Sequence, residues 1–239
     1  DELQIVGAVE KRDNHAVGKD SGEIAGTGKN NIIITDNLEN IIKDSDVTIE
    51  FTSPEATMEN IKLNEKYLKP AVIGTTGFSN EQKDIITEIS KKIPIVLSPN
   101  MSIGVNLLFK LVEITARALG KNYDVEIVEA HHRFKKDAPS GTAKKLSEII
   151  CDTLGIKNRL SGREGFTGER TNNEIGIFAV RAGDIVGEHT VIFGGIGERI
   201  ELIHRAHSRM TFAQGAVMAA IFIVKQNPGL YSMLDVLQI

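Results

Sequence analysis

The chain of 239 residues has a single cysteine, Cys151, so no internal disulfide can form. That excludes a disulfide-stapled scaffold and makes a reducing, cytoplasmic setting the expectation. Cys151 falls within a helical pattern and reads as a small buried apolar residue. No apolar run approaches the roughly 20 residues of a membrane span, so no membrane partner is expected. An excess of positive charge is also missing. Lys and Arg total 28 against 32 Asp and Glu, a net charge of −4. This argues against a general nucleic-acid or anionic-membrane binder. Internal repeats, heptads and low-complexity segments are absent too, which argues against solenoids and coiled coils.

What remains is ordinary globular material, 41% apolar and 25% charged, and long enough for two modest domains. Apolar, β-branched runs predict strands over residues 3–9, 32–34, 47–51, 71–73 and 95–97. Between them, a short helix is expected over 37–43. Longer ones are expected from Ser53-Pro54 to about residue 68 and from Ser79 to about 92. Strands alternating with helices predict a mostly parallel sheet covered on both faces. The pattern changes after Met101. A helix over 105–119, a strand over 124–130 and a helix over 143–154 precede a Gly- and charge-rich stretch, 159–170, expected to be a mobile loop. Closely spaced strands over 174–180, 188–193 and 199–204 suggest antiparallel pairing, with Gly194-Gly195-Ile196-Gly197 as the tight connection. A last apolar helix over 211–225 is expected to return to the first domain.

The densest chemistry lies in Glu129-Ala130-His131-His132-Arg133-Phe134-Lys135-Lys136-Asp137-Ala138-Pro139-Ser140-Gly141-Thr142-Ala143. Two histidines and two lysines fall within six residues, and a Pro-Ser-Gly-Thr turn then opens a helix. Free backbone N–H groups and the helix dipole favour an anion at such a start. Cations beside it suit a small carboxylate substrate and can deliver a proton. Parts of the run also have plain readings: a strand end, solvated lysines, and Ser140 as an ordinary N-cap. Adjacent strand residues point to opposite faces, so His131 and His132 would not readily share an ion, and no metal is expected. His15, His189, His204 and His207 read as solvated or structural.

In an open parallel sheet, ligands bind beyond the carboxyl ends of the strands. Glu10 follows the first visible strand, where a carboxylate can accept from ribose hydroxyls. Lys11 and Arg12 come next and could hold a 2′-phosphate. Gly74-Thr75-Thr76 and Ser98-Pro99-Asn100 end two later strands. A dinucleotide domain usually opens with a strand and a Gly-rich loop feeding a helix. Here Gly26-Thr27-Gly28-Lys29 precedes a short apolar strand instead, so it reads as a plain connection. The simplest expectation is a domain without its first strand, Gly-rich loop and opening helix, and with a weakened hold on pyrophosphate.

The order Glu-x-His-His-x-x-Lys-x-Asp-x-Pro-Ser-Gly-Thr-Ala resembles the signature of the dihydrodipicolinate reductases. Gly7-Ala8-Val9-Glu10, Phe51-Thr52-Ser53-Pro54-Glu55, Gly74-Thr75-Thr76-Gly77 and Ser98-Pro99-Asn100-Met101-Ser102 are similar to that family's cofactor-domain motifs. Gly187-Glu188-His189-Thr190-Val191 and Ser208-Arg209-Met210-Thr211-Phe212-Ala213 are similar to its later ones. The resemblance covers nearly the whole chain. It implies an α/β fold with a Rossmann-like dinucleotide-binding domain over residues 1–102, completed by 213–239. A central α+β domain for substrate binding and tetramerisation would span 103–212. A homotetramer, NADH or NADPH as cofactor, and a place in diaminopimelate and lysine biosynthesis are further implications.

Carried over residue by residue, the resemblance makes His131 the acid–base group and Lys135 the proton-donating, substrate-binding lysine. His132, Gly141 and Thr142 would hold the carboxylates of a small dicarboxylate. Glu10 would meet the adenosine ribose, and Lys11 occupies the position associated with NADPH. Gly74, Thr75 and Thr76, with Ser98, Pro99, Asn100 and Met101, would contact the cofactor. The implied reaction is the conjugate reduction of a cyclic imine dicarboxylate. Hydride adds at C4, Lys135 stabilises the enamine-type charge, and His131 or Lys135 supplies the proton. Two competing readings are a related amino-acid-pathway dehydrogenase and a non-catalytic dicarboxylate-binding oligomer. The intact signature argues against the first, and only the absent phosphate loop supports the second.

Overall fold

The computed structural model describes residues 3–239. In chain order the elements begin β1 (Ala8–Val9), α1 (Ser21–Ile24), β2 (Ile34–Thr35), β3 (Thr48–Glu50), α2 (Pro54–Tyr67), β4 (Ala71–Ile73), α3 (Asn80–Ser90) and β5 (Pro94–Leu97). They continue with α4 (Ile103–Leu119), β6 (Asp124–His131), α5 (Gly141–Leu154), β7 (Asn158–Ser161), β8 (Glu174–Arg181), β9 (Gly187–Gly194) and β10 (Arg199–Ala206). The chain ends with α6 (Met210–Ile223), β11 (Gly229–Tyr231) and α7 (Met233–Leu237). Two compact units result. One takes the chain up to Pro99 together with Gly215–Gln238, and the other takes Asn100–Gln214.

The first unit is built on an all-parallel sheet in the order β11-β5-β4-β3. Ala71, Val72, Ile73, Ile95 and Val96 are fully buried, as expected of strands covered on both faces. Met58 and Ile61 of α2 and Ile86 and Ile89 of α3 pack with Ala71, Ile73 and Ile95. Each fully buried aliphatic side chain contributes about 1.5–3 kcal/mol. Both helices start where capping chemistry puts them. The Ser53 side chain accepts the Ala56 N–H ahead of Pro54, and Ser79 and Gln82 form a capping box.

Two expectations for this unit change. The strand expected over 3–9 is confined to Ala8–Val9, which pairs only with Ile34–Thr35 among the described residues. Leu3, Ile5 and Val6 are exposed and lack a neighbouring strand there to complete a ladder. The helix expected over 37–43 is two 3₁₀ turns, Leu38–Asn40 and Ile42–Asp44. The Asn37 side chain accepts from Glu39 N–H and closes the first turn tightly. Near Gly26–Lys29, backbone N–H groups of Gly22, Glu23, Asn30 and Asn31 all donate to the Asp20 carboxylate. That loop therefore wraps an internal anion and is a connection. Burial pushes the Asp20 carboxyl up, but those donors outweigh it and hold the group below its usual range.

The second unit is a five-stranded sheet in the order β10-β9-β6-β8-β7. Helices α4 and α5 cover one face. Val125, Ile127, Ile175, Ile177, Val191 and Phe193 form a single core with Val105, Leu108 and Val112 of α4 and Ala143, Leu146, Ile150 and Leu154 of α5. The spacing in α5 is the helical one for a single buried stripe. Its ends are set by Ser140, whose side chain accepts Ala143 N–H, and by Gly155 in the left-handed region.

Here the sheet is mixed, not antiparallel throughout. β6–β9 and β9–β10 are antiparallel, while β6–β8 and β8–β7 are parallel. Parallel neighbours need a crossover connection, and α5 lies between β6 and the β7–β8 pair in the chain. The stretch 159–170 is also not the free loop expected. It opens with part of β7 and is then pinned by two arginines. Arg163 reaches both oxygens of Glu126 and also Glu174, while Arg170 reaches Asp124 and Glu126. The pairing with Arg163, helped by Thr171, lowers the Glu174 carboxyl to about 2.

Candidate functional site

Three adjacent strands of the second unit bring the site's side chains together. Glu129 and His131 are two residues apart on β6, so both point to the helix-covered face. In register, Arg181 of β8 lies opposite His131, and His189 of β9 lies opposite Glu129. His131 Nδ1 stands 2.6 Å from Glu129 Oε2. The Arg181 guanidinium donates to both Glu129 oxygens at 2.8 Å. The fourth donor is the Ser140 N–H, 3.1 Å from Glu129 Oε1. Glu129 is fully buried, yet every lone-pair direction is used. The His131 and His189 rings meet edge to face, with centroids 5.2 Å apart, and His189 Nε2 is 3.0 Å from Ser140 Oγ.

These contacts decide the charges. Burial pushes the Glu129 carboxyl up, but the Arg181 and His131 hydrogen bonds pull it further down, so it is ionised. Burial also pushes the His131 imidazole down. The Glu129 carboxylate opposes this, and the positive charges of Lys135 and Arg181 add to it, leaving the ring below its ordinary value. His131 is therefore mainly neutral at pH 7. His189 is lowered to about 3, chiefly by burial, and stays uncharged.

Beyond β6 the chain turns to the start of α5. Lys135 Nζ pairs with Asp137 at 2.8 Å and is half-buried, while His132 packs near Phe134. His132 Nδ1 is buried without a hydrogen-bond partner among the described residues. Ser140 Oγ takes the Ala143 N–H, and Ser140 O takes that of Lys144. The Gly141 and Thr142 N–H groups make no hydrogen bond among the described residues. A Cβ on Gly141 would meet nothing within 4 Å, so the space before the helix is open. Thr142 Oγ1 accepts from Asn100 Nδ2 at 3.2 Å, and the Asn100 carbonyl accepts from Asn106 Nδ2. Met101 is buried. Two free N–H groups at a helix start, after a loop that carries a lysine and a histidine, are chemically suited to bind a carboxylate.

The residues expected to meet a cofactor divide between the units. Glu10, Lys11, Gly74, Thr75, Thr76, Ser98 and Pro99 belong to the first, and Asn100 and Met101 to the second. Glu50, Ile73 and Leu97 are register neighbours on β3, β4 and β5, so the loops that follow leave the same edge of the sheet side by side. That edge is where an open parallel sheet binds a dinucleotide. Glu10, Lys11 and Arg12 are exposed just past β1, an acceptor for hydroxyls beside two cations for phosphate. The loop itself is tightly built. Thr75 Oγ1 accepts from Thr52 N–H and from the Thr57 hydroxyl, which turns the Thr75 side chain inward. A Cβ on Gly74 would run into the Phe51 ring. Below the loop, Glu50 is buried and its carboxyl is pushed up, with Asn60 and Thr52 as donors. This donor set and strand edge fit a nicotinamide dinucleotide.

Two family profiles span the chain. The one described as dihydrodipicolinate reductase, N-terminus, matches residues 1–101, and the one described as dihydrodipicolinate reductase, C-terminus, matches 104–237. The chain belongs to the dihydrodipicolinate reductase family. It is 54% identical over 238 residues to the 4-hydroxy-tetrahydrodipicolinate reductase of Syntrophus aciditrophicus (strain SB), covering 98% of this chain and 89% of that protein. Identity to the protein of the same name from Hahella chejuensis (strain KCTC 2396) is also 54%, over 92% of this chain and 84% of that one. Among solved structures, a dipicolinate-bound dihydrodipicolinate reductase from Paenisporosarcina sp. TG-14 matches with a TM-score of 0.76 at 28% identity. That match covers 97% of this chain and 88% of that one. An amine dehydrogenase from Mycobacterium smegmatis shares the fold at 13% identity, with a TM-score of 0.59.

The family is one of NAD(P)H-dependent oxidoreductases, and this chain carries its nucleotide-binding N-terminal domain. The sequence motif points to His131, His132, Lys135, Gly141 and Thr142, whereas Glu129 and Arg181 join the site only in the fold. Ser140, an N-cap by sequence, also donates its N–H to Glu129 and meets the buried His189 ring. Glu129 was within reach, since i and i+2 on a strand share a face. Arg181 was not, because its place opposite His131 depends on the parallel register of β6 and β8.

Proposed function

We propose that this protein reduces a dihydrodipicolinate-type cyclic imine dicarboxylate with NADH or NADPH, giving tetrahydrodipicolinate for diaminopimelate and lysine biosynthesis. The observation that carries the reading is the start of α5. The Gly141 and Thr142 N–H groups open that helix without a hydrogen-bond partner among the described residues, after the loop that carries Lys135, and Ser140 ties the helix start through Glu129 to His131. A dicarboxylate would place one carboxylate on those N–H groups, with His132 and the Thr142 hydroxyl beside it. When bound, the nicotinamide supplies the hydride.

This chain's own residues do the rest. Lys135 leaves Asp137 to meet the negative charge that develops on the reduced ring, and it donates the proton. His131 exchanges protons at Nε2. Glu10 would accept from the adenosine ribose, and Lys11 would favour a 2′-phosphate. The Gly74–Thr76 and Ser98–Met101 segments would line the rest of the cofactor. The single buried cysteine and the biosynthetic chemistry support a cytoplasmic enzyme, and the half-covered sheet of the second unit supports a homotetramer. The test is loss of NAD(P)H absorbance when freshly generated substrate is added to the full-length protein. No loss with either cofactor would sink the assignment.

A further inference from the structure

We propose that Glu129 is a positioning residue: it fixes which nitrogen of His131 carries the proton and ties that histidine to the start of α5. The proposal rests on the reading of His131 as the acid–base group. An ionised carboxylate can only accept, so the His131 nitrogen 2.6 Å from Glu129 Oε2 must carry the ring hydrogen. That nitrogen is Nδ1, which leaves Nε2 as the lone-pair position of the neutral ring. Nε2 lies toward Gly187, where a Cβ would stand 3.2 Å from it. Glycine at that position keeps side-chain atoms away from the exchanging nitrogen.

The same carboxylate holds the helix start. Glu129 Oε1 takes the Ser140 N–H, and Ser140 Oγ takes that of Ala143. One buried group thereby sets both the ring that exchanges protons and the turn that presents Gly141 and Thr142. Arg181 completes the arrangement. A carboxylate has about four acceptor positions, and His131, Ser140 and the two Arg181 nitrogens fill them. A purely structural Glu–Arg pair would have no need of the histidine.

The charged and titratable groups that face His131 are Glu129 on its own strand, Arg181 from β8, His189 from β9 and Lys135 from the loop beyond. Removing Arg181 takes away a positive charge and strengthens the pull of Glu129 on the ring.

Nitrogen-15 chemical shifts of the full-length protein, with His131 assigned through His131→Gln, read the tautomer without any assay. At neutral pH the expected form has hydrogen on Nδ1; hydrogen on Nε2 would overturn the proposal. In Glu129→Gln the amide N–H₂ faces Nδ1 and moves the ring hydrogen to Nε2, while the amide oxygen can still accept from Ser140. The expected result is a kcat lower by roughly 10²-fold or more, with substrate KM within about threefold of the parent. Glu129→Asp, which keeps the charge, should recover part of the loss. In Arg181→Met the limb of the pH–rate profile that belongs to His131 should move to higher pH. A Glu129→Gln enzyme with kcat within about threefold of the parent, or one changed only in KM, would overturn the proposal. Failure of the parent protein to oxidise NAD(P)H with substrate would instead remove the proposed reaction and leave the tautomer measurement readable.

Discussion

His189 is the clearest single-residue source of pH sensitivity. Its ring is buried against Ser140 and His131, and burial lowers it from 6.5 to about 3. The fold therefore excludes the proton while the unfolded chain accepts it. Stability from this group is fully present above pH 6.5 and is lost as pH falls toward 3, by about 1.4 kcal/mol per pH unit. Urea unfolding at pH 7 and pH 5 should show a steeper loss for the parent than for His189→Gln, by up to about 2 kcal/mol. Equal losses would place the titration elsewhere. Two other single residues test the proposed chemistry. His131→Gln and Lys135→Ala should each lower turnover by about 10²–10⁴-fold with the fold intact, as loss of a general acid or base does. Thr142→Val should act mainly on the substrate KM, because it removes a binding hydroxyl and no proton donor. A Lys135→Ala enzyme with near-parent turnover would take Lys135 out of the mechanism.

Elements differ in how much of themselves they carry locally. Helices α2, α3 and α5 announce themselves in the sequence, because Ser53-Pro54, Ser79 with Gln82, and Ser140 ahead of Gly141 supply their own caps. The Gly74–Thr76 and Ser98–Pro99 loops were legible for a similar reason, since short apolar runs end there in small polar residues. The parallel pairing of β6 with β8 was not legible, because strand spacing alone does not tell a crossover from a hairpin. Nor was the anchoring of the segment after β7. Arg163 and Arg170 find Glu126, Asp124 and Glu174, with the contacts to β6 spanning 37 to 46 residues of chain. No local pattern encodes such partners. That anchoring has a consequence for the element. Arg170→Met removes bonds to two carboxylates and to the Glu174 carbonyl. A loss of about 1–3 kcal/mol is expected in urea unfolding. Chymotryptic cleavage at the fully exposed Phe166 should also be faster, because the segment opens more often. Arg199→Met, which breaks only the largely solvated pair with Glu201, should change neither. Equal cleavage rates for both variants would mean that β7 alone holds the segment.

At the scale of the molecule, the sheet of the second unit poses a problem that one chain does not solve. Its inward residues Val125, Ile127, Ile175, Ile177, Val191 and Phe193 meet α4 and α5. Alternation places Val128, Phe178, Val180, Thr190, Ile192 and Ile203 on the other face, and all of them are partly or fully exposed. Apart from Thr190, this row of side chains across four paired strands is apolar, and contiguous exposed apolar patches mark association sites. The expected occupant is the same face of another subunit. A symmetric pairing of sheet faces would give a dimer, and a further interface is needed for the proposed tetramer. Val180 and Ile203 are suited to the test because they are 44% and 42% exposed in the single chain. Glutamate at either position should leave the fold intact, yet place like charges within a paired face. Light scattering after gel filtration should give the parent a mass four times that of one chain. Val180→Glu together with Ile203→Glu should give dimers or monomers with an unchanged circular dichroism spectrum. A double variant that remains tetrameric would move the interface off this face, and a monomeric parent would remove the tetramer from the proposal.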